Sequence, residues 1–150
     1  MAREGLDLSE LEAFADELER ASRRAPRHTK KFLQTQGNKL RKQTKARAMS
    51  VVGKGHKKPE KYKDSPHYVD TIKRGKPYNF LRSDVMAIRV YSSAPHAHLI
   101  EKGHKVISHG KFVKFYHGEH IFEKTRLQFK PQFEAACEEF LDEVAREVED

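Results

Sequence analysis

The chain has one cysteine, Cys137, and that scarcity excludes an intrachain disulfide and any zinc site built on paired cysteines. Cys137 falls at an apolar helical position, which suits a small core residue better than a nucleophile. No stretch approaches the roughly 20 consecutive apolar residues that a membrane-spanning helix needs. The opening segment, MAREGLDLSELE, is acidic and lacks the apolar run of a secretion signal, so a chain made and kept in a cytoplasm before it acts is expected. The glycines build no phosphate-cradling loop, because Gly53 and Gly55 are not followed by G-K-S or G-K-T. G-x-S-x-G, H-E-x-x-H and C-x-x-C are also missing, which removes the strong signatures of nucleophilic and metal-assisted hydrolysis.

Acidic residues are scarce in the middle of the chain and abundant at its ends. Residues 23–82 hold 19 Lys and Arg against three acidic residues (Glu60, Asp64 and Asp70), a net +16. Residues 132–150 carry −7 and residues 1–20 carry −5. A basic chain favours anionic partners such as nucleic acid or acidic protein faces. Two readings of the segregation stand open. Either packing brings the acidic ends against the basic middle within one subunit, or subunits meet head to tail, acidic face on basic face.

The 150 residues favour one domain, spanning 1–150. Asp7 and Glu10 have capping-box spacing, with Leu6 and Leu11 at the staple positions. Leu8, Leu11, Phe14, Ala15, Leu18 and Ala21 then form one apolar face, and Pro26 is expected to end or restart this first helix. A second helix is expected over about 27–50, with a weak stripe of Phe32, Leu33, Leu40, Ala48 and Val51. Its other faces carry Lys30, Lys31, Lys39, Arg41, Lys42, Lys45 and Arg47. Residues 53–68 read as a mobile basic loop whose Lys54, Lys57, Lys58, Lys61 and Lys63, beside Tyr62 and Tyr68, are candidates for contact with DNA or a protein partner.

From 69 to 116 the apolar period changes to two. Val69, Thr71 and Lys73 indicate a short strand, and residues 85–92 the best strand of the chain. Residues 95–102 read as a short helix, started by Pro95 and ended by Gly103. Strands over 104–108 and 111–116 make a hairpin around His109-Gly110. A helical stretch over 120–129 leads into a long final helix opened by Pro131. That helix carries Phe133, Cys137, Phe140, Leu141, Val144 and Val148 on one side and glutamates elsewhere. The predicted fold is therefore α+β: two N-terminal helices, a small antiparallel β-sheet, and a long C-terminal helix packed on the sheet.

Nine histidines invite a metal site, but their spacing does not support one. His98 and Glu101 would share a helix face, whereas His96 and His98 would not, and His104, His109, His117 and His120 are spread over strands and turns. No metal, cofactor or catalytic residue is expected. The alternative from the residues alone is a small metal-free ribonuclease drawing on Tyr91, Tyr116, His104 and His117, or a sequence-blind nucleic-acid-binding protein.

One stretch is more specific. Arg89 to His104 reads RVYSSAPHAHLIEKGH, and Lys111 to Lys124 reads KFVKFYHGEHIFEK. Together they resemble the phage tail-completion (head–tail joining) family typified by the gene-ten product of a lambda-like phage. In that family an R-V-Y-x-S strand leads into A-P-H-A-H-L-I-E and a G-H turn, followed by a hairpin and a G-x-H-x-F-E-K segment. The matching residues are Arg89, Tyr91, Ala94, Pro95, His96, His98, Glu101, Gly103 and His104, then Gly118, His120, Phe122, Glu123 and Lys124. Lys102 departs from the pattern, which has an aromatic residue before the glycine.

The resemblance implies a non-enzymatic virion protein that forms a ring, six-fold in the virion, at the head–tail junction or neck. Head-connector and tail-tube or tail-terminator proteins would be its neighbours, and phage DNA would pass through its channel. Glu138, Glu139, Asp142 and Glu143 are then candidates for the subunit interface, the acidic patch of a heterologous contact.

Overall fold

The computed structural model describes residues 8–54, 63–79 and 85–149, with the side chains of the first helix described at Asp16, Arg20 and from Arg24 onward. The opening cap at Asp7, the staple residue Leu6, and Lys57, Lys58, Lys61 and Tyr62 lie outside these residues, and the side chains of the first apolar face from Leu8 to Ala21 are likewise not described.

Helix α1 runs from Leu8 to Val51 with Pro26 inside it. The two expected N-terminal helices are thus one continuous helix. A proline within a helix forfeits one backbone hydrogen bond and crowds the preceding turn, a cost of about 3 kcal/mol. Packing of the following residues on α3 offsets that cost. The buried positions of α1 are Leu33, Gln36, Gly37, Thr44 and Ala48, while Val51 is exposed. The stripe looked weak in sequence because glutamine, glycine and threonine occupy three of these five positions. Gly37 has a packing reason: a Cβ there would lie 3.0 Å from both the Arg74 side chain and Ile88 Cδ1.

A 3-10 turn over Tyr68–Thr71 leads into β1, Ile72–Arg74. The strand expected from Val69 to Lys73 therefore starts only at Ile72. The strong strand signal at 85–92 divides into β3 (Met86–Ala87) and β4 (Val90–Ser92). β3 pairs antiparallel with β2 (Tyr78–Asn79), and β4 with β1 in the register Ile72–Ser92, Lys73–Tyr91, Arg74–Val90. Thr71 fixes this junction: its hydroxyl donates to the Tyr68 carbonyl at 2.5 Å and lies 2.7 Å from Ser92 Oγ.

Helix α2, Ala97–Lys102, ends at Gly103. Strands β5 (Gly103–Ser108) and β6 (Lys111–His117) form the expected hairpin. His109 (φ 49°) and Gly110 (φ 72°) both take positive φ, the requirement of a two-residue turn that matches the right-handed twist of its strands. Among the described residues the strands make three separate two-stranded antiparallel sheets, so the α+β class holds while the single small sheet is divided.

Helix α3 runs unbroken from Ile121 to Glu149 through Pro131, joining the lead-in and final helices that the sequence indicated separately. Its main partner is α1 rather than a sheet. Phe32 stacks on Phe140 with ring centroids 4.5 Å apart and meets Phe133 at 6.1 Å, and Phe129 extends the row. The buried core lies where α1 ends and α3 begins: Ala48, Tyr68, Val69, Ile72 and Ile121, with Val90, Ala94, Ala97, Ile100 and Phe122 against it.

Ile121 is fully buried, whereas Leu141 on the outer face of α3 is 64% exposed. Ile121→Ala is expected to lower unfolding free energy in urea by about 2–5 kcal/mol. Leu141→Ala should change it by less than about 0.5 kcal/mol. Equal effects would place the core elsewhere.

Candidate functional site

The residues from Arg89 to Lys124 converge on the N-terminus of α3. Ser92 Oγ accepts from the Ala94 N–H at 3.2 Å and holds the chain as it turns into Pro95 and α2. Ala94, Ala97 and Ile100 face the core, while Pro95, His96 and His98 are exposed. Glu101, near the end of α2, accepts from the backbone N–H groups of Phe122 (3.2 Å) and Glu123 (3.1 Å) with its two carboxylate oxygens. A negative charge set on the unpaired donors of a helix start meets both their hydrogen-bonding need and the positive end of the helix dipole. The carboxylate of this motif therefore caps a helix from a neighbouring element.

Two glycines make the approach possible. Gly103 has φ 86°, and a Cβ on it would lie 2.2 Å from the Tyr116 carbonyl oxygen. A Cβ on Gly118 would lie 2.1 Å from the Glu101 carbonyl oxygen. The N–H groups of Glu119 and His120 donate across the same crossing to Ile100 (2.8 Å) and Glu101 (3.2 Å). His120 takes φ 50°, its carbonyl accepts from the Lys124 N–H at 2.9 Å, and its Nδ1 sits 3.1 Å from Glu123 Oε2. Phe122 packs against the core. The Arg89 carbonyl accepts from the Gly75 N–H at 2.9 Å, and the Arg89 guanidinium lies over the Tyr91 ring, 5.4 Å from its centroid.

The tyrosines report this environment. Burial, and secondly the Glu101 charge, push Tyr68 up to about 12. The Tyr116 hydroxyl donates to Glu119 Oε1 at 2.6 Å, and that bond, more than its slight burial, raises its pKa. A cleft of about 760 Å³ opens beside Tyr68 between the end of α1 and the turn at Ala94, Pro95 and His96.

The residues that a ribonuclease would need do not converge. His104 pairs with Tyr116, rings 5.3 Å apart, whereas His117 pairs with Gly103 on the opposite face of the hairpin and meets Phe115. Tyr91 belongs to a different sheet. Among the described residues no three His, Cys, Asp or Glu side chains gather as a metal site would require, and no helix is long and apolar enough to cross a membrane. Cys137 is half-buried against the α1–α3 seam, and burial, with Glu134 second, raises its thiol pKa.

The charged segments separate into two groups. Part of the basic face of α1 serves the subunit itself: Arg41 Nε donates to the Ile72 carbonyl at 3.3 Å, and Arg47 donates to Thr125 Oγ1 at 3.1 Å and to Gln128 Oε1. Lys30, Lys31, Lys39 and Lys42 are exposed. Lys54 pairs with Asp70 at 2.8 Å, an interaction that lowers the Asp70 pKa, and Lys63 is exposed. Packing does bring acidic α3 beside basic α1, but only His28–Glu147 (3.4 Å) links them by charge among the described residues. Glu138, Glu139, Asp142 and Glu143 are exposed and, among the described residues, form no ion pair. The Glu101 cap and the glycine crossing were not derivable from spacing, since nothing local in sequence ties residue 101 to residue 122. The motif marked the residues without revealing their job.

Removing the cap tests that job. Glu101→Ala is expected to cost about 0.5–2 kcal/mol in urea denaturation, and Glu101→Gln less, because an amide oxygen still accepts one bond. Gly118→Ala should cost more than either, its Cβ meeting backbone. Full stability in Glu101→Ala would remove the capping role.

Residues 12–103 match the model of the bacteriophage HK97-gp10-like tail components. No curated protein and no solved structure matches the chain. The match takes in α1 from Glu12 onward, the small paired strands and the motif as far as Gly103, leaving the rest of the hairpin and α3 beyond it. With well over half of its length matched, the chain belongs to the HK97-gp10-like family of bacteriophage tail components.

Proposed function

We propose that this chain is a ring-forming, non-catalytic subunit at the head–tail junction of a long-tailed phage or prophage, where it joins tail to head and lets DNA pass. The observation that carries the reading is family membership combined with the use of the motif. Of its matching residues, Ala94, Glu101, Gly103 and Gly118 are occupied in holding α2, the hairpin and α3 together. A site spent on shape suits a protein whose work is assembly.

Ring closure needs two different patches that fit each other on neighbouring subunits. The outer face of α3, with Glu138, Glu139, Asp142 and Glu143, is one such patch, and a basic surface of the next subunit is its counterpart. Six-fold symmetry, with head-connector and tail-tube or tail-terminator proteins above and below, completes the proposed setting. Lys54 and Lys63 border the basic segment that would meet DNA in the channel or an adjoining ring.

Electron microscopy of particles made without this gene tests the reading. Separate full heads and tails that join when the purified protein is added are expected, and normal infectious particles would overturn it. Reversing Glu138, Glu139, Asp142 and Glu143 together to lysine should abolish joining while leaving the monomer folded. Undiminished joining would discard that patch.

A further inference from the structure

Helix α2 packs on β5 of the hairpin, while every residue of β6 is exposed. In the register of the pair, Ile107 faces Phe112 and Lys105 faces Phe115, so these four side chains share one surface. Ile107 is 63% exposed, Phe112 62% and Phe115 46%. Two-stranded ribbons are marginal by themselves, and contiguous exposed apolar surface marks a contact site. The segment 103–117 also carries Lys105, Lys111 and Lys114 and no acidic residue.

A surface of opposite character lies on α3. Glu134, Glu138, Leu141 and Asp142 fall on one side of the helix by their three- and four-residue spacing. Leu141 is 64% exposed, and among the described residues Glu134 pairs by charge with Lys130 alone, at 3.9 Å. Glu138 stands about 26 Å along α3 from Ile121, where the chain leaves the hairpin, at 1.5 Å per residue. The base of the hairpin and this patch therefore lie far apart on one subunit, an arrangement that lets a contact propagate from copy to copy and close.

We propose that the hairpin is a docking arm for a second copy of this chain. Ile107 and Phe112 rest on Leu141 of the neighbour, and Lys105, on the same face of the ribbon, meets Glu138 and Asp142. This deepens the ring reading above and rests on it. A phosphate backbone would satisfy the lysines but leave Ile107 and Phe112 in water, so an apolar and acidic protein surface fits the arm better than nucleic acid does.

Cross-linking in a Cys137→Ser background tests the arm, using exposed positions whose replacement spares the core. Full-length Phe112→Cys and Leu141→Cys proteins, mixed at high concentration and oxidised, should give a heterodimer that neither gives alone. The chain carrying both changes should give a ladder of multimers, in solution or within completed particles. Absence of the 112–141 link in both settings, or a predominant 112–112 link, would overturn the proposal.

Lys105→Glu should lower the yield of joined particles at least about tenfold, since like charges then oppose across the contact, whereas Lys114→Glu, on the opposite face of the ribbon, should not. Adding Glu138→Lys and Asp142→Lys to Lys105→Glu should restore it. If Lys105→Glu instead abolishes binding of a fluorescent DNA duplex while cross-links and joining are unchanged, the arm serves nucleic acid and the proposal falls. Failure of wild-type protein to join heads to tails would remove the head–tail reading alone, because the solution cross-link still decides the arm.

Discussion

Everything in this subunit depends on how α3 begins. A helix start leaves its first backbone donors without partners, and each one left unpaired against the core costs stability. The Glu101 carboxylate meets two of them from outside the helix. It can do so only because Gly103 and Gly118 let the chain cross itself at a separation that no side chain would allow. That crossing orients α2 on the core, directs the hairpin outward, and sets the line along which α3 lies on α1. Local backbone chemistry over a few residues thus determines where two long helices and a ribbon point.

Among the described residues the core gathered around this junction is small, and the α1–α3 seam supplements it with a row of phenylalanines. Charge contributes less to holding the subunit together than the composition implied. The basic middle and acidic end lie side by side, yet their charged groups mostly face water, where an isolated ion pair adds little. A subunit with opposite charges left on separate exposed faces is built for what it meets outside itself.

The sequence was most informative where one rule dominates. His109-Gly110 foretold a tight turn, Gly103 foretold the end of α2, and the C-terminal periodicity foretold α3. It was least informative where tertiary packing overrides local preference. Pro26 and Pro131 read as boundaries, yet both helices continue through them because residues beyond each proline are held by the opposite helix. The strand signal at 85–92 was sound in its alternation, but a pattern of period two says nothing about partners, and here Met86–Ala87 and Val90–Ser92 pair with different strands. The motif from Arg89 onward pointed to the family. Its mechanical meaning stayed hidden because a carboxylate on one helix serving the start of another is a relation between distant positions, invisible to spacing.

The setting of Cys137 bears on durability. A tail component spends its working life outside the reducing interior of a cell, where thiols are open to oxidation and to random cross-linking between crowded neighbours. Oxidation proceeds through the thiolate, so a thiol kept protonated by its surroundings reacts slowly. Half-burial against the α1–α3 seam, with Glu134 close by, holds Cys137 in that protonated form. The lone thiol can fill space in the seam without becoming a chemical weak point as the particle ages.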